Sequence, residues 1–144
     1  MTSLSIVAVP VLLDTATDSP QLLRQWSRMY HYGHLIMPSM AVGTLLLHAC
    51  SALQLRAMGK PWVIFACAGA VTIAIAPFTW IVMEATNGAL FARQKSVGSS
   101  KEYAASDLQE NKDLVKHWSC LHLMRSMLPL AGTALAVVGT FGGM

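Results

Sequence analysis

The sequence predicts an all-α, membrane-embedded, up-down bundle of four helices with a shortened first helix. The composition is 54% hydrophobic and only 12% charged, whereas about 25% of the residues in ordinary soluble domains are charged. The segment from Trp62 to Met83 has 22 residues without a charge. At about 1.5 Å per residue, such a helix crosses a bilayer core of about 30 Å. We expect residues 1–144 to form a single transmembrane domain.

The first apolar run, residues 4–13, contains Pro10 and has about half the length of a spanning helix. It does not resemble a signal peptide, because no basic residue precedes it and no small-x-small cleavage site follows it. Asp18 or Ser19 followed by Pro20 is typical of a helix start, so a second helix should run from there into a span at residues 33–55.

The connection at residues 56–61 is short, so the second and third spans should be antiparallel neighbours. Residues 88–117 are polar and indicate an exposed loop with one helix around residues 102–116. The last span is predicted to start near Trp118 and to end by Gly139.

Charge and cysteine patterns exclude several functions. The net charge of +3 is small and the cations form no run, so nucleic acid is not expected as a partner. Cys50, Cys67 and Cys120 lie in or beside apolar stretches without a CxxC spacing, and we expect them to be buried small hydrophobes. The chain contains no glycine-rich phosphate loop, no nucleophile elbow and no HExxH motif.

Lysine and arginine are unevenly distributed between the two sides of the predicted bundle. We expect a multi-pass endomembrane protein, and the positive-inside tendency puts its 88–117 loop in the cytoplasm. One side has only Arg56 and Lys60. The other side has Arg24, Arg28, Arg93, Lys95, Lys101, Lys112 and Lys116.

Polar side chains from three spans are predicted to meet at one membrane depth. His34 lies near the start of the second span, Glu84 and Asn87 lie at the end of the third, and His122 and Arg125 lie in the first two turns of the fourth. Polar groups at this depth are costly, and several together indicate a functional site rather than packing alone.

Trp118, His122 and Arg125 are spaced i, i+4 and i+7 and should share one helix face. His117 is rotated by about 140° from His122 and should point elsewhere. Arg125 needs an anion, a carbonyl or an aromatic face beside it, and Glu84 is the acidic side chain expected at that level.

Three motifs carry a family resemblance: Trp26-x-x-x-Tyr30-x-x-Gly33, Pro77-Phe78-Thr79 followed by Thr86-Asn87-x-x-Leu90, and Trp118-x-x-x-His122-x-x-Arg125. From about Ile6 to its end the chain resembles the small integral-membrane anthrone oxygenase family, also known as the DUF1772 domain. It departs from the family pattern in one respect. Members usually begin with a complete first span, whereas this chain opens partway through it.

The resemblance implies a membrane-bound oxygenase that converts an anthrone-type aromatic polyketide to an anthraquinone with O2 in fungal secondary metabolism. Such a reaction needs a base, a donor for the oxyanion and an apolar slot between aromatic rings. His122 or His34 is the candidate base, and Arg125 and Asn87 are the candidate oxyanion donors. The expected substrate-binding residues are Trp118, Trp26, Tyr30, Phe78 and Glu84. Trp26 and Tyr30 are also typical of membrane-interface anchors, and the pattern favours that interpretation for these two.

Two alternatives stay open at this point. His34 and His122 could ligate haem, copper or iron inside the bundle, whereas His34 and His48 lie about 21 Å apart along one helix, too far for one ion. The other alternative is a membrane partner protein without this activity. A homo-oligomer is a further expectation, because the fourth span is rich in glycine and alanine.

Overall fold

The structure, a computed structural model, describes residues 2–97 and 105–142. Within these ranges four helices are present and no strand occurs. Helix α1 covers Leu4–Thr15, α2 covers Ser19–Ala57 and α4 covers Ala105–Gly142. Helix α3 consists of successive segments, Val63–Ile73, Ile75–Phe78, Thr79–Met83 and Glu84–Val97, of which Thr79–Met83 is π-helical.

Helices α2, α3 and α4 are long and apolar enough to cross a membrane, and α1 is too short to do so. The predicted all-α bundle with a shortened first helix is therefore confirmed, and the chain is a membrane protein. The predicted start of α2 is also confirmed. The Asp18 carboxylate caps the helix by accepting a hydrogen bond from the Gln21 backbone N–H at 2.6 Å, and Pro20 lies in the first turn.

Helices α3 and α4 pack antiparallel along most of their length. Near one end Gly139 approaches Ile64. In the middle Thr79 contacts Arg125, and further along Asn87 contacts Trp118. This antiparallel register brings the end of the third span to the same level as the start of the fourth, as the sequence predicted.

The helices extend further than expected on the polar side. Helix α3 continues to Val97, and α4 begins at Ala105 instead of near Trp118, so the predicted helix around residues 102–116 and the last span are one helix. Asn111 and Val115 continue the buried face of α4, and Arg93 donates a hydrogen bond to Asn111 Oδ1 at 3.0 Å. Arg93 also pairs with Glu110. The remainder of the predicted loop, including Lys101, lies outside the described residues.

The expected burial of the three cysteines is wrong. Cys50, Cys67 and Cys120 are all exposed on the outside of the bundle. In a membrane the outer surface of a spanning helix faces hydrocarbon, so an apolar sequence environment does not distinguish a core position from a lipid-facing one.

Helices α3 and α4 pack closely at Gly132. A Cβ atom there would collide with the Thr72 hydroxyl and lie 2.8 Å from the Ala68 carbonyl oxygen, whereas a Cβ at Gly88 would meet nothing within 4 Å. We expect Gly132→Ala to destabilise the protein by about 1–3 kcal/mol through overpacking. Gly88→Ala is the matched control and should stabilise it by about 0.5–1 kcal/mol. Thermal unfolding of both variants in detergent measures the difference, and equal melting temperatures would contradict the close packing.

Candidate functional site

A cavity of about 300 Å³ lies between α2, α3 and α4, with Leu4 of α1 at its base. Its walls are mainly aliphatic and methionine side chains, including Met29, Met37 and Met83. This size and character suit a small apolar ligand. The side chains with polar atoms that line it are Tyr30, His34, Thr79, Trp80, Trp118, His122 and Arg125.

His122 is held rigidly on the cavity wall. Its side chain is only 2% exposed, and its ring stacks on Trp118 with centroids 5.1 Å apart. Nδ1 is hydrogen-bonded to the Ser5 hydroxyl at 3.0 Å. Nε2 forms no hydrogen bond with any residue in the described part of the chain. The cavity is therefore lined by an imidazole that is fixed through one nitrogen and free at the other.

Arg125 lies one turn further along the same face of α4. Its Nη1 donates a hydrogen bond to Thr79 Oγ1 at 3.1 Å, whereas its buried Nε has no partner among the described residues. Most of the five N–H donors of this guanidinium thus have no acceptor among the described residues. A cation with spare donors beside an apolar cavity is suited to bind an oxyanion.

The expected ion pair between Glu84 and Arg125 does not form. Glu84 is exposed and does not line the cavity. The adjacent Met83 is buried in the core, and one residue further along an α-helix turns the side chain by about 100°. Glu84 therefore lies at the level of the cavity along the bundle, but its side chain points away from it.

Asn87 lies outside the cavity lining and contacts Trp118, one of the wall residues. It is buried, does not line the cavity, and accepts a hydrogen bond from Trp118 Nε1 at 2.9 Å. The structure thus gives Asn87 a contact with Trp118 rather than a place from which its amide could reach a cavity ligand. This contact fixes the indole that stacks on His122.

The aromatic residues divide into a wall and a core. Tyr30 and Trp118 line the cavity, whereas Trp26 is completely buried between them, with ring centroids 5.4 Å from Tyr30 and 5.8 Å from Trp118. Phe78 is half-buried and packs against the same core without lining the cavity. Trp26 and Phe78 therefore hold the wall in place instead of forming it.

His34 lines the cavity at its exposed side, and its ring is nearly parallel to that of Tyr30, with centroids 5.8 Å apart. His34 and His122 thus share one cavity. Among residues 2–97 and 105–142, no group of three or more His, Cys, Asp or Glu side chains could hold a metal ion. Ligation of haem, copper or iron by the two histidines stays a prediction.

Two polar residues of the site were not predicted, Ser5 and Thr79. Ser5 fixes His122 from the short helix α1, and nothing in the sequence near it indicates this contact. Thr79 opens the π-helical segment Thr79–Met83, so α-helical spacing from Asn87 does not give the direction of its side chain.

Comparisons with known proteins agree on one family. A family profile described as "Anthrone oxygenase" matches residues 26–135. The chain is 46% identical over 140 residues to anthrone oxygenase AgnL2 of Paecilomyces divaricatus, covering 96% of this chain and 85% of that protein. It is 39% identical over 137 residues to anthrone oxygenase ptaC of Pestalotiopsis fici, with coverage of 95% and 97%. It is 43% identical over 136 residues to anthrone oxygenase gedH of Aspergillus terreus, with coverage of 94% and 86%. No solved structure matches the chain significantly.

Proposed function

Because this chain belongs to the anthrone oxygenase family, we propose that it oxidises an anthrone-type aromatic polyketide to an anthraquinone with O2, in fungal secondary metabolism. The observation that carries the proposal is the apolar cavity with His122 and Arg125 on one wall. A flat tricyclic substrate needs such a slot, and its oxidation needs a base and an oxyanion donor beside the reacting carbon.

The reaction begins with removal of a proton from the central methylene of the anthrone. The resulting carbanion is delocalised onto the carbonyl oxygen and is electron-rich enough to transfer an electron to O2. Formation of a C–O bond then gives a peroxide, which loses water. One oxygen atom of O2 becomes the new carbonyl, and the other leaves as water with the two methylene hydrogens.

His122 is the proposed base. An imidazole can accept a proton at Nε2 only when its hydrogen is on Nδ1, and the Ser5 hydroxyl, 3.0 Å from Nδ1, can accept that hydrogen. Stacking on Trp118 fixes the plane of the ring. His34, which is exposed and held only by stacking on Tyr30, is the less constrained alternative.

Arg125 is the proposed donor to the oxygen that becomes negatively charged. Arginine stays protonated, and in a site that excludes water its N–H groups stabilise an enolate or peroxide strongly. Thr79 orients the guanidinium through its hydroxyl. Tyr30 and Trp118 provide aromatic surfaces for the substrate rings.

Asn87 is a positioning residue in this scheme, and its removal should affect the reaction through Trp118. We expect Asn87→Leu to lower kcat by about tenfold, because the indole loses a buried hydrogen bond worth about 1 kcal/mol and with it a fixed orientation. In a Trp118→Phe background the donor is absent, so the same substitution should have little further effect. Kinetics of the single and double variants measure this coupling, and additive losses would contradict it.

The direct test of the function is incubation of membranes containing the protein with an anthrone under oxygen, followed by measurement of quinone absorbance. We expect quinone to form well above the rate in membranes without the protein. A parallel sample with a chelator tests metal dependence. Absence of protein-dependent quinone formation would contradict the proposal and favour a membrane partner protein without this activity.

We further propose that the protein resides in endomembranes with the polar ends of α3 and α4 in the cytoplasm. The support for this orientation is the excess of lysine and arginine at that side, where residues 88–97 and 105–117 extend beyond the apolar spans as helices. Labelling of a Lys112→Cys variant, with the native cysteines replaced, by an impermeant thiol reagent tests the orientation. In sealed microsomes the label should react without detergent.

We also propose that the protein self-associates. Fewer small residues of α4 are available for this contact than the sequence predicts. Gly132 and Gly139 are used inside the molecule, where they face α3. Ala131 and Ala134 of α4 are exposed and available for a second copy. The mass of the detergent-solubilised protein measured by light scattering would determine its oligomeric state.

A further inference from the structure

We propose that anthrone reaches the cavity sideways from the hydrocarbon of the bilayer, through a portal between α2 and α3. The portal is the opening bounded by Pro38 and Val42 of α2 and by Ile73 and Trp80 of α3. This inference rests on the proposed function, because it names the route by which the substrate of that reaction arrives.

The position of the opening follows from the exposure of the cavity-lining residues. Val42, Ile73 and Trp80 line the cavity and are also 49%, 36% and 72% exposed on the outer surface. A side chain that borders both the cavity and the outside marks the place where the two meet. By contrast, the α4 residues of the lining are buried or half-buried, Trp118 and His122 almost completely. The cavity therefore opens between α2 and α3 and is closed on the side of α4.

The helix packing explains why a gap exists there. Towards the other end of the bundle α2 and α3 are close, because a Cβ at Gly69 of α3 would lie 3.2 Å from Leu45 Cδ1 and 3.5 Å from His48 Cβ. At Gly33 of α2, which lines the cavity, a Cβ would meet nothing within 4 Å. The two helices thus meet at Gly69 on one side of the cavity and at Trp26 and Phe91, with ring centroids 5.1 Å apart, on the other. Between these contacts, no Cα atom of α2 lies within 8 Å of a Cα atom of residues 75–83.

The regular helix of α3 is also interrupted at the portal. A turn at Ala74 separates Val63–Ile73 from Ile75–Phe78, and the π-helical segment Thr79–Met83 follows. π-Helical turns are rare and occur frequently at functional sites. Here the segment directs Thr79 towards Arg125 while the next residue, Trp80, lies at the opening.

The outside of the portal is lipid rather than water. Val42 lies in the apolar part of α2, and Ile73 and Trp80 lie within the uncharged run of α3 that ends at Met83. An anthrone is flat and largely apolar, so it should concentrate in the bilayer, next to this opening. Access from lipid also keeps bulk water away from the carbanion formed at His122.

The portal is tested by comparing protein that receives anthrone before it is cross-linked with protein that is cross-linked first. The native cysteines are replaced by alanine, and Val42→Cys and Ile73→Cys are joined by a reducible bifunctional thiol reagent across the opening. We expect protein that is loaded with anthrone without oxygen, then cross-linked, to form quinone once when oxygen is admitted. Protein cross-linked before anthrone is added should form at least tenfold less, and reduction of the cross-link should restore turnover.

The matched control joins the same two helices away from the opening, through Leu53→Cys and Val63→Cys, both of which are exposed. This cross-link should leave turnover unchanged in either order of addition. Equal quinone formation by the portal-linked protein in both orders, at the rate of the unlinked protein, would overturn the portal while leaving the proposed reaction intact.

A second measurement does not depend on turnover. A nitroxide placed at Val42→Cys in the cysteine-replaced protein should collide with lipid-dissolved oxygen more than with a water-soluble nickel reagent, and added anthrone should lower its access to oxygen. Greater access to the nickel reagent would overturn the lipid route. If the unlinked protein formed no quinone at all, the proposed function would fail, and this measurement alone would decide the portal.

Discussion

Replacement of His122 by alanine is expected to lower kcat for anthrone oxidation by about 10²–10⁴-fold, the usual contribution of a general base. The imidazole lines the cavity, is fixed through Nδ1 to Ser5 and stacks on Trp118, so no other described side chain can take over the same position. Quinone formation by purified protein in detergent or nanodiscs measures the effect. His34→Ala should cost less than tenfold if His122 is the base.

His117→Ala is the matched control for this substitution. His117 lies on the same helix but is exposed and does not line the cavity, so its removal should leave kcat unchanged. A folded His122→Ala protein that oxidised anthrone at the normal rate would show that the base is another group. A large loss in His34→Ala would assign the role to His34.

Replacement of Arg125 by methionine is expected to lower kcat by about 10²–10³-fold, the cost of removing one oxyanion donor. The substitution keeps most of the apolar stem and removes the charged group that contacts Thr79. Arg125→Lys should recover part of the rate, because it restores a charge without the planar set of donors. The same quinone assay measures these rates, together with KM.

Lys116→Met is the control for loss of a positive charge from α4. Lys116 is exposed, pairs with Asp113 and lies outside the cavity lining, so this variant should keep normal kinetics. An Arg125→Met protein with normal kcat and a raised KM would contradict the oxyanion role, because it would indicate that Arg125 only binds substrate.

The number of long apolar helices could be predicted from sequence, because apolar length reports directly on the ability to cross a membrane. The start of α4 could not. Residues 105–117 are mostly polar, and their helix is stabilised by one buried stripe that includes Asn111 and Val115. The burial of that stripe depends on packing against α3, where Arg93 contacts Asn111, and the sequence of α4 alone does not contain this contact.

For the site, the sequence predicts the level of a residue along the bundle better than the direction of its side chain. Trp118, His122 and Arg125 were placed on one face of α4 by their spacing, and all three line the same cavity. Glu84 and Asn87 lie at the level of the cavity along the bundle, but Glu84 is exposed and Asn87 contacts Trp118 behind the cavity wall. The rotation of a helix about its axis is fixed by contacts with the neighbouring helix. The sequence of one segment does not contain these contacts.

The π-helical turn in α3 has a consequence for how the protein can vary. A π turn accommodates an additional residue within an otherwise α-helical stretch, so the two halves of α3 need not keep a common angular phase. The rotation of the Val63–Ile73 half about its axis is fixed by its contacts with Gly132 and Gly139. The rotation of the Glu84–Val97 half is fixed by its contacts with the indole of Trp118 and with Asn111. Changes that tighten or loosen the glycine contact can therefore be absorbed between the halves without turning Asn87 away from its tryptophan.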